Sequence, residues 1–190
     1  MLTGLAPAGW LLQRLWTNDL GANPIEELTH TTGLWALWLL LACLAITPIR
    51  RLAGLRQLAP LRRTLGLLSF TYACAHVGVY AGLDRELSAA YVLEDVVERP
   101  FVMAGLASFL CLVPLAVTST RGWIRRLGRR WIVLHRLVYV AAIAAIVHFL
   151  WLVKADLREP LGYAALLTLL LGARVTFIAS RRQRTRPLSA

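Results

Sequence analysis

Charged residues are scarce in this chain, and acidic ones are the scarcest. Only 16% of the 190 residues are charged, with 10 acids against 21 bases, whereas 58% are hydrophobic and the mean hydropathy is +0.61. Ordinary globular chains have about 25% charged and 45–50% apolar residues. The arginines cluster between apolar runs instead of alternating with aromatic residues along one surface. The composition therefore excludes a soluble domain and argues against a nucleic-acid partner.

Motifs for covalent or redox cysteine chemistry are also missing. Cys43, Cys74 and Cys111 each lie inside an apolar run, and the chain has neither a CxxC pair nor a CxxCH motif. This pattern excludes a disulfide framework and indicates ordinary buried thiols. A glycine-rich nucleotide-binding motif is absent as well, and no loop is long enough for a substrate site. We therefore expect no catalytic residues on this chain.

Long apolar runs predict an all-α integral membrane protein with one domain over residues 1–190. Five runs can cross about 30 Å of hydrocarbon as helices, at 30–48, 64–83, 101–118, 132–153 and 160–179. A short apolar helix at 4–16 is either interfacial or a shortened additional span, which would be the sixth. Pro48 is expected at a span end, and Pro114 is expected to kink the third span.

The loops between these spans alternate in charge. Loops 49–63 and 119–131 each carry five arginines and no acid, and the tail 180–190 is also basic. By contrast, the charged residues of segment 17–29 are all acidic, and loop 84–99 has five acidic residues against two arginines. By the positive-inside rule, the basic segments and the C-terminus are cytoplasmic in a bacterial inner membrane. The arginines would also meet anionic lipid headgroups.

Three histidines lie within predicted spans, where ionisable groups usually mark function. From the predicted cytoplasmic entry, His76 lies about 18 Å deep, His148 about 24 Å and His135 about 5 Å at 1.5 Å per residue. No Asp, Glu or Lys lies deep in a span, which argues against a proton-coupled transporter. Neutral imidazole is the usual axial ligand of haem iron in helix bundles.

His76 and His148 are therefore predicted to be an axial pair for one haem, the alternative being hydrogen-bonded core histidines. His135 lies about 140° around the helix from His148, so it would serve a different site or be an ordinary interfacial histidine. His30 lies at the outer mouth of the first span. Tyr72 and Tyr80 flank His76 at i−4 and i+4 and share its face.

Three runs resemble a known family within the ferric-reductase-like transmembrane superfamily: GANPIEELTHTTGLWAL, RRTLGLLSFTYACAHVGVYA and TSTRGWIRRLGRRWIVLHRLVYVAAIAAIVHFLWLVKAD. The family comprises the haem-binding membrane subunits of periplasmic methionine sulfoxide reductase systems. The resemblance covers residues 20–178, and the spacing of His135 and His148 is its most specific part. It implies haem b binding by the residues matching His76, His135 and His148.

The resemblance further implies electron delivery to MsrP, a periplasmic molybdopterin methionine sulfoxide reductase that repairs oxidised proteins. FMN is associated with the family, and the expected donors are the quinone pool or a cytoplasmic flavin reductase. Two alternatives stay open at this point. One is a stand-alone transmembrane ferric or other metal reductase, and the other is a haem-free transporter or assembly protein. This chain departs from the family pattern in two ways. The family usually has a full N-terminal span, which is shortened here. Relatives with two haems have a further histidine at the position of Arg62.

Overall fold

A computed structural model describes residues 6–17 and 21–184 of the chain. Every regular element in these two ranges is helical. In chain order they are α1 (Ala6–Trp16), α2 (Pro24–Leu52), a 3-10 turn (Arg56–Leu58), α3 (Leu61–Val79), a π-helical turn (Tyr80–Asp84), α4 (Ala89–Glu98), α5 (Pro100–Val117), α6 (Arg121–Leu127), α7 (Arg129–Leu134), α8 (Leu137–Leu152) and α9 (Arg158–Arg184).

Four helical segments in the described ranges are long and apolar enough to cross a membrane. They are Pro24–Leu52, Leu61–Asp84, Pro100–Val117 and Arg129–Leu152, and they confirm the prediction of an all-α membrane protein. The predicted fifth crossing, 160–179, falls within the 27-residue α9 and stays a prediction. Helix α1 has 11 residues, fewer than the roughly 20 that a crossing needs. Residues 4 and 5 of the predicted 4–16 helix lie outside the described ranges.

Proline behaves differently in α2 from the sequence-based expectation. Pro100 opens α5 at its first turn, where a missing N–H costs little. Pro48 was expected at the end of a span, but it lies inside α2, which continues to Leu52. A proline at this position leaves the carbonyl of Leu44 without its helical donor. Arg174 Nη2 of α9 donates to that carbonyl at 3.4 Å and to Thr47 Oγ1 at 2.7 Å. A donor from another helix therefore replaces the backbone N–H that residue 48, being proline, does not have.

The bundle is built from two closely packed helix pairs, α2 with α3 and α5 with α8. Ser69 of α3 donates to the Ala36 carbonyl of α2, and Ser108 of α5 donates to the Ala141 carbonyl of α8, each at 2.8 Å. Ala141 and Ala142 are completely buried. Small residues and interhelical hydrogen bonds are what membrane helices use to approach closely. The second helix of each pair, α3 or α8, brings a residue near its C-terminal end toward the other pair.

Acidic residues gather at one end of the bundle, which we call the acidic end. Asp95 of α4 is 7% exposed. It accepts hydrogen bonds from Tyr80 Oη and Arg85 Nε, both at 2.6 Å, and forms an ion pair with Arg99 Nε at 3.1 Å. The Tyr80 hydrogen bond, together with Arg85 and Arg99, holds the pKa of Asp95 below its usual value. Asp95 is thus part of the internal structure of this region and not an exposed surface charge.

Candidate functional site

His76 and His148 face each other between the two helix pairs. His76 lies near the end of α3 and His148 near the end of α8. Their ring centres are 6.1 Å apart, and their ring planes are inclined at 82°. Both side chains are half-buried. The two residues that the sequence predicted as a pair, 72 positions apart in the chain, therefore meet at one point in the bundle.

Each of these imidazoles is fixed by a backbone carbonyl of the neighbouring helix. His76 Nδ1 lies 2.8 Å from the Thr29 carbonyl of α2, and His148 Nδ1 lies 2.6 Å from the Phe101 carbonyl of α5. A carbonyl only accepts, so Nδ1 of each ring must carry the hydrogen. In the neutral ring Nε2 then has a free lone pair. Both histidines are thereby held in the tautomer that binds a metal through Nε2.

One aromatic ring lies beside the pair: the ring centre of Phe101 is 6.1 Å from that of His148. Phe149 packs against the exposed His30, at 6.4 Å. Tyr72, predicted to share the face of His76, is 4% exposed and packs 6.3 Å from Trp35. The other flanking residue, Tyr80, turns to Asp95 instead. An aromatic neighbour such as Phe101 suits a planar hydrophobic cofactor, with the two imidazoles as its specific polar contacts.

His135 occupies a separate place, in the turn between α7 and α8 and 13 residues before His148. Its ring stacks on Trp131 with centres 3.8 Å apart, and its Nδ1 lies 3.2 Å from the Trp131 carbonyl. Its Nε2 is buried without a hydrogen-bond partner. An unpaired buried nitrogen of this kind is costly.

The donor set restricts what the His76–His148 site can hold. Within the described ranges, no three His, Cys, Asp or Glu side chains come close enough to hold a metal ion. Two imidazoles facing each other match the axial ligands of a haem, whose porphyrin brings the remaining four nitrogens. Sequence reasoning missed the Thr29 and Phe101 carbonyls, because no pattern in the sequence marks a backbone contact between helices.

Comparison with known proteins agrees with this architecture. Residues 32–146 match the family described as ferric reductase like transmembrane component. A relative from Xanthomonas axonopodis pv. citri is 46% identical over 97% of this chain and 86% of its own length. One from Rhodospirillum rubrum is 48% identical over 94% of this chain and 86% of its own length. Both are named protein-methionine-sulfoxide reductase heme-binding subunit MsrQ.

No solved structure is significantly similar to this chain. The matched family residues cover α2 from residue 32, all of α3 and α5, and α8 up to residue 146. They include His76 and most of both helix pairs, and they end two residues before His148. The sequence identity to the relatives extends over nearly the full chain. The chain therefore belongs to the ferric-reductase-like transmembrane family and, within it, to the MsrQ family.

Proposed function

We propose that this chain is a haem b electron-transfer subunit of a methionine sulfoxide reductase system, with His76 and His148 as the axial ligands. The observation that carries the proposal is the distance of 6.1 Å between the two ring centres. A metal-bound imidazole nitrogen lies about 2 Å from the metal, so two rings on opposite sides of one iron have centres roughly 6 Å apart. The observed distance between the two ring centres agrees with this spacing, which supports the proposal.

The bound haem supplies one-electron chemistry, and the protein supplies its position and surroundings. The carbonyls of Thr29 and Phe101 orient the rings through Nδ1 and raise the basicity of Nε2. More basic axial ligands favour the ferric state. Phe101 supplies an apolar neighbour beside His148. His135, with its unpaired Nε2, is proposed as a further haem or cofactor contact near the basic end.

Charge distribution supports a direction for electron flow. The basic loops and the tail are proposed to face the cytoplasm in the bacterial inner membrane, where the donor is the quinone pool or a cytoplasmic flavin reductase. FMN is a second proposed cofactor. In this orientation the His76–His148 site lies in the periplasmic half of the bilayer, nearest the acidic end. Glu94 and Glu98 are exposed there, and we propose that they meet a basic rim on the periplasmic acceptor, MsrP.

The ligand assignment is tested by absorption and EPR spectra of purified protein. His76→Ala and His148→Ala are each expected to abolish the low-spin bis-histidine signal, whereas His30→Ala is the matched control and keeps it. Normal haem content and spectra in both ligand variants would overturn the assignment. A purified wild-type protein with no haem absorption would point instead to a haem-free transporter or assembly protein.

The partner is tested by kinetics. Membranes containing the reduced protein are expected to reoxidise their haem with methionine sulfoxide only when MsrP is present. If MsrP leaves the reoxidation rate unchanged and ferric chelates reoxidise the haem without it, the chain is a stand-alone metal reductase.

A further inference from the structure

The two helix pairs repeat the same contacts at one constant offset. Adding 72 to Thr29, Gly33 and His76 gives Phe101, Gly105 and His148. His76 bonds to the carbonyl of the first of these residues, and His148 bonds to its counterpart. The same side of each pair therefore presents one imidazole, and the two presentations are built in the same way.

The serine bonds follow the same offset, with the donor exchanged. Ala36 corresponds to Ser108, and Ser69 corresponds to Ala141. In the first pair the serine is on the second helix, and in the second pair it is on the first helix, yet both bonds measure 2.8 Å. Two different sequences thus produce the same hydrogen-bonded contact at the same place. This agreement indicates an internal structural repeat, α2–α3 and α5–α8.

A glycine lies against the imidazole in each repeat. A Cβ atom on Gly33 would come within 3.0 Å of His76 Nδ1, and one on Gly105 would come within 2.8 Å of His148 Nδ1. Each glycine lies four residues after the carbonyl that accepts from the ring. Helical side chains lean toward the N-terminus, so a side chain at that position would cover the carbonyl. Only glycine leaves it open to an imidazole from the neighbouring helix.

We propose that Gly33 and Gly105 are paired positioning residues for the haem, one for each axial ligand. They act through the histidines and do not contact the iron. By admitting each ring to a helix carbonyl, they fix the tautomer, the distance between the rings and their near-perpendicular planes. This inference rests on the proposed axial ligation by His76 and His148.

The repeat offers matched controls for a substitution test. Gly78, two residues after His76, has open space where a Cβ would go, and a Cβ on Gly66 would make ordinary contact with Cys43 Sγ at 3.6 Å. Both are glycines of the same α3 helix. The test compares Gly33→Ala and Gly105→Ala with Gly78→Ala and Gly66→Ala in the purified full-length protein. The measurements are the haem-to-protein ratio, the low-spin EPR spectrum and the midpoint potential.

The expected effects are graded by the clearances. Gly105→Ala should perturb the EPR spectrum and the potential most, Gly33→Ala less, and the two control variants not at all. Loss of an outer-shell contact to a metal ligand typically weakens metal binding about 10–100-fold, so haem retention should fall in the same order. If Gly105→Ala yields no folded protein, Gly33→Ala decides by the same measurements.

Unchanged EPR spectra and potentials in Gly33→Ala and Gly105→Ala would overturn the inference. Equal changes in all four variants would also overturn it, because they would indicate general helix packing. The histidine variants separate this result from a failure of the proposed function. If His76→Ala and His148→Ala lose the haem signal while the glycine variants keep it unchanged, only the positioning role fails.

Discussion

The contact between Arg174 and the Leu44 carbonyl allows a quantitative test of how α9 is held against α2. Replacing Arg174 by Met removes the donor at 3.4 Å and leaves the Leu44 carbonyl unpaired. Leu44 is only 1% exposed. An unsatisfied buried acceptor costs about 1–3 kcal/mol. Pro48→Ala restores an N–H that can pair with the same carbonyl. The loss caused by Arg174→Met should then be smaller by about 1 kcal/mol, near the low end of that range.

A double-mutant cycle isolates this contribution, because the hydroxyls of Tyr139 and Thr47 lose the same partner in both backgrounds. In thermal unfolding of the detergent-solubilised protein, about 1 kcal/mol corresponds to a Tm shift of about 2–4 °C for a chain of this size. Ser108→Ala, a distant substitution, is the control. It should lower Tm by the same amount whether residue 48 is proline or alanine. The reasoning is refuted if Arg174→Met also lowers Tm equally in the two backgrounds.

Three further predictions concern the acidic end and the topology. Asp95→Ala should destabilise the protein by about 1–3 kcal/mol, because it removes the acceptor shared by Tyr80 and Arg85. Since the folded pKa of Asp95 is lowered, its contribution should persist at neutral pH and disappear only as pH falls through that pKa, which thermal unfolding across acidic pH would measure. A reporter fused after Arg126 should read cytoplasmic and one inserted at Leu87 periplasmic; the reverse would overturn the direction of electron flow. Charge reversal at Glu94 and Glu98 together should weaken salt-sensitive coupling to MsrP while the haem spectrum stays intact, and unchanged coupling would exclude this surface.

How much of this site was predictable depends on the kind of contact. The pairing of His76 with His148 could be predicted, because helix rise converts sequence position into depth, and few ionisable groups lie in the spans. The roles of Gly33 and Gly105 could not, because glycine in membrane helices usually serves packing. The constant offset of 72 residues did not reveal a repeat in the sequence, because most of the identical pairs are leucines or alanines, which are common in any membrane helix.

The errors have physical causes as well. The prediction that Pro48 lies at the end of a span was wrong, because a missing helical hydrogen bond ends a helix only when no other donor replaces it. Here Arg174, 126 residues further along the chain, supplies that donor. The burial of Asp95 could not be predicted from the sequence, because its partners Tyr80, Arg85 and Arg99 converge on it only through the turn after α3 and the end of α4. Both contacts join residues from different elements, so counting charges along the chain could not predict them.

The division into two helix pairs has a consequence for the order of assembly. Each pair has its own serine bond and its own hydrophobic contact, so each can form as a hairpin as soon as it enters the bilayer. His76 belongs to one hairpin and His148 to the other. A cofactor that binds both histidines is therefore a cross-link between separately formed halves, and its binding free energy adds directly to their association. Because the two hairpins already share one hydrophobic core, cofactor insertion would follow their packing and strengthen an association that the core begins.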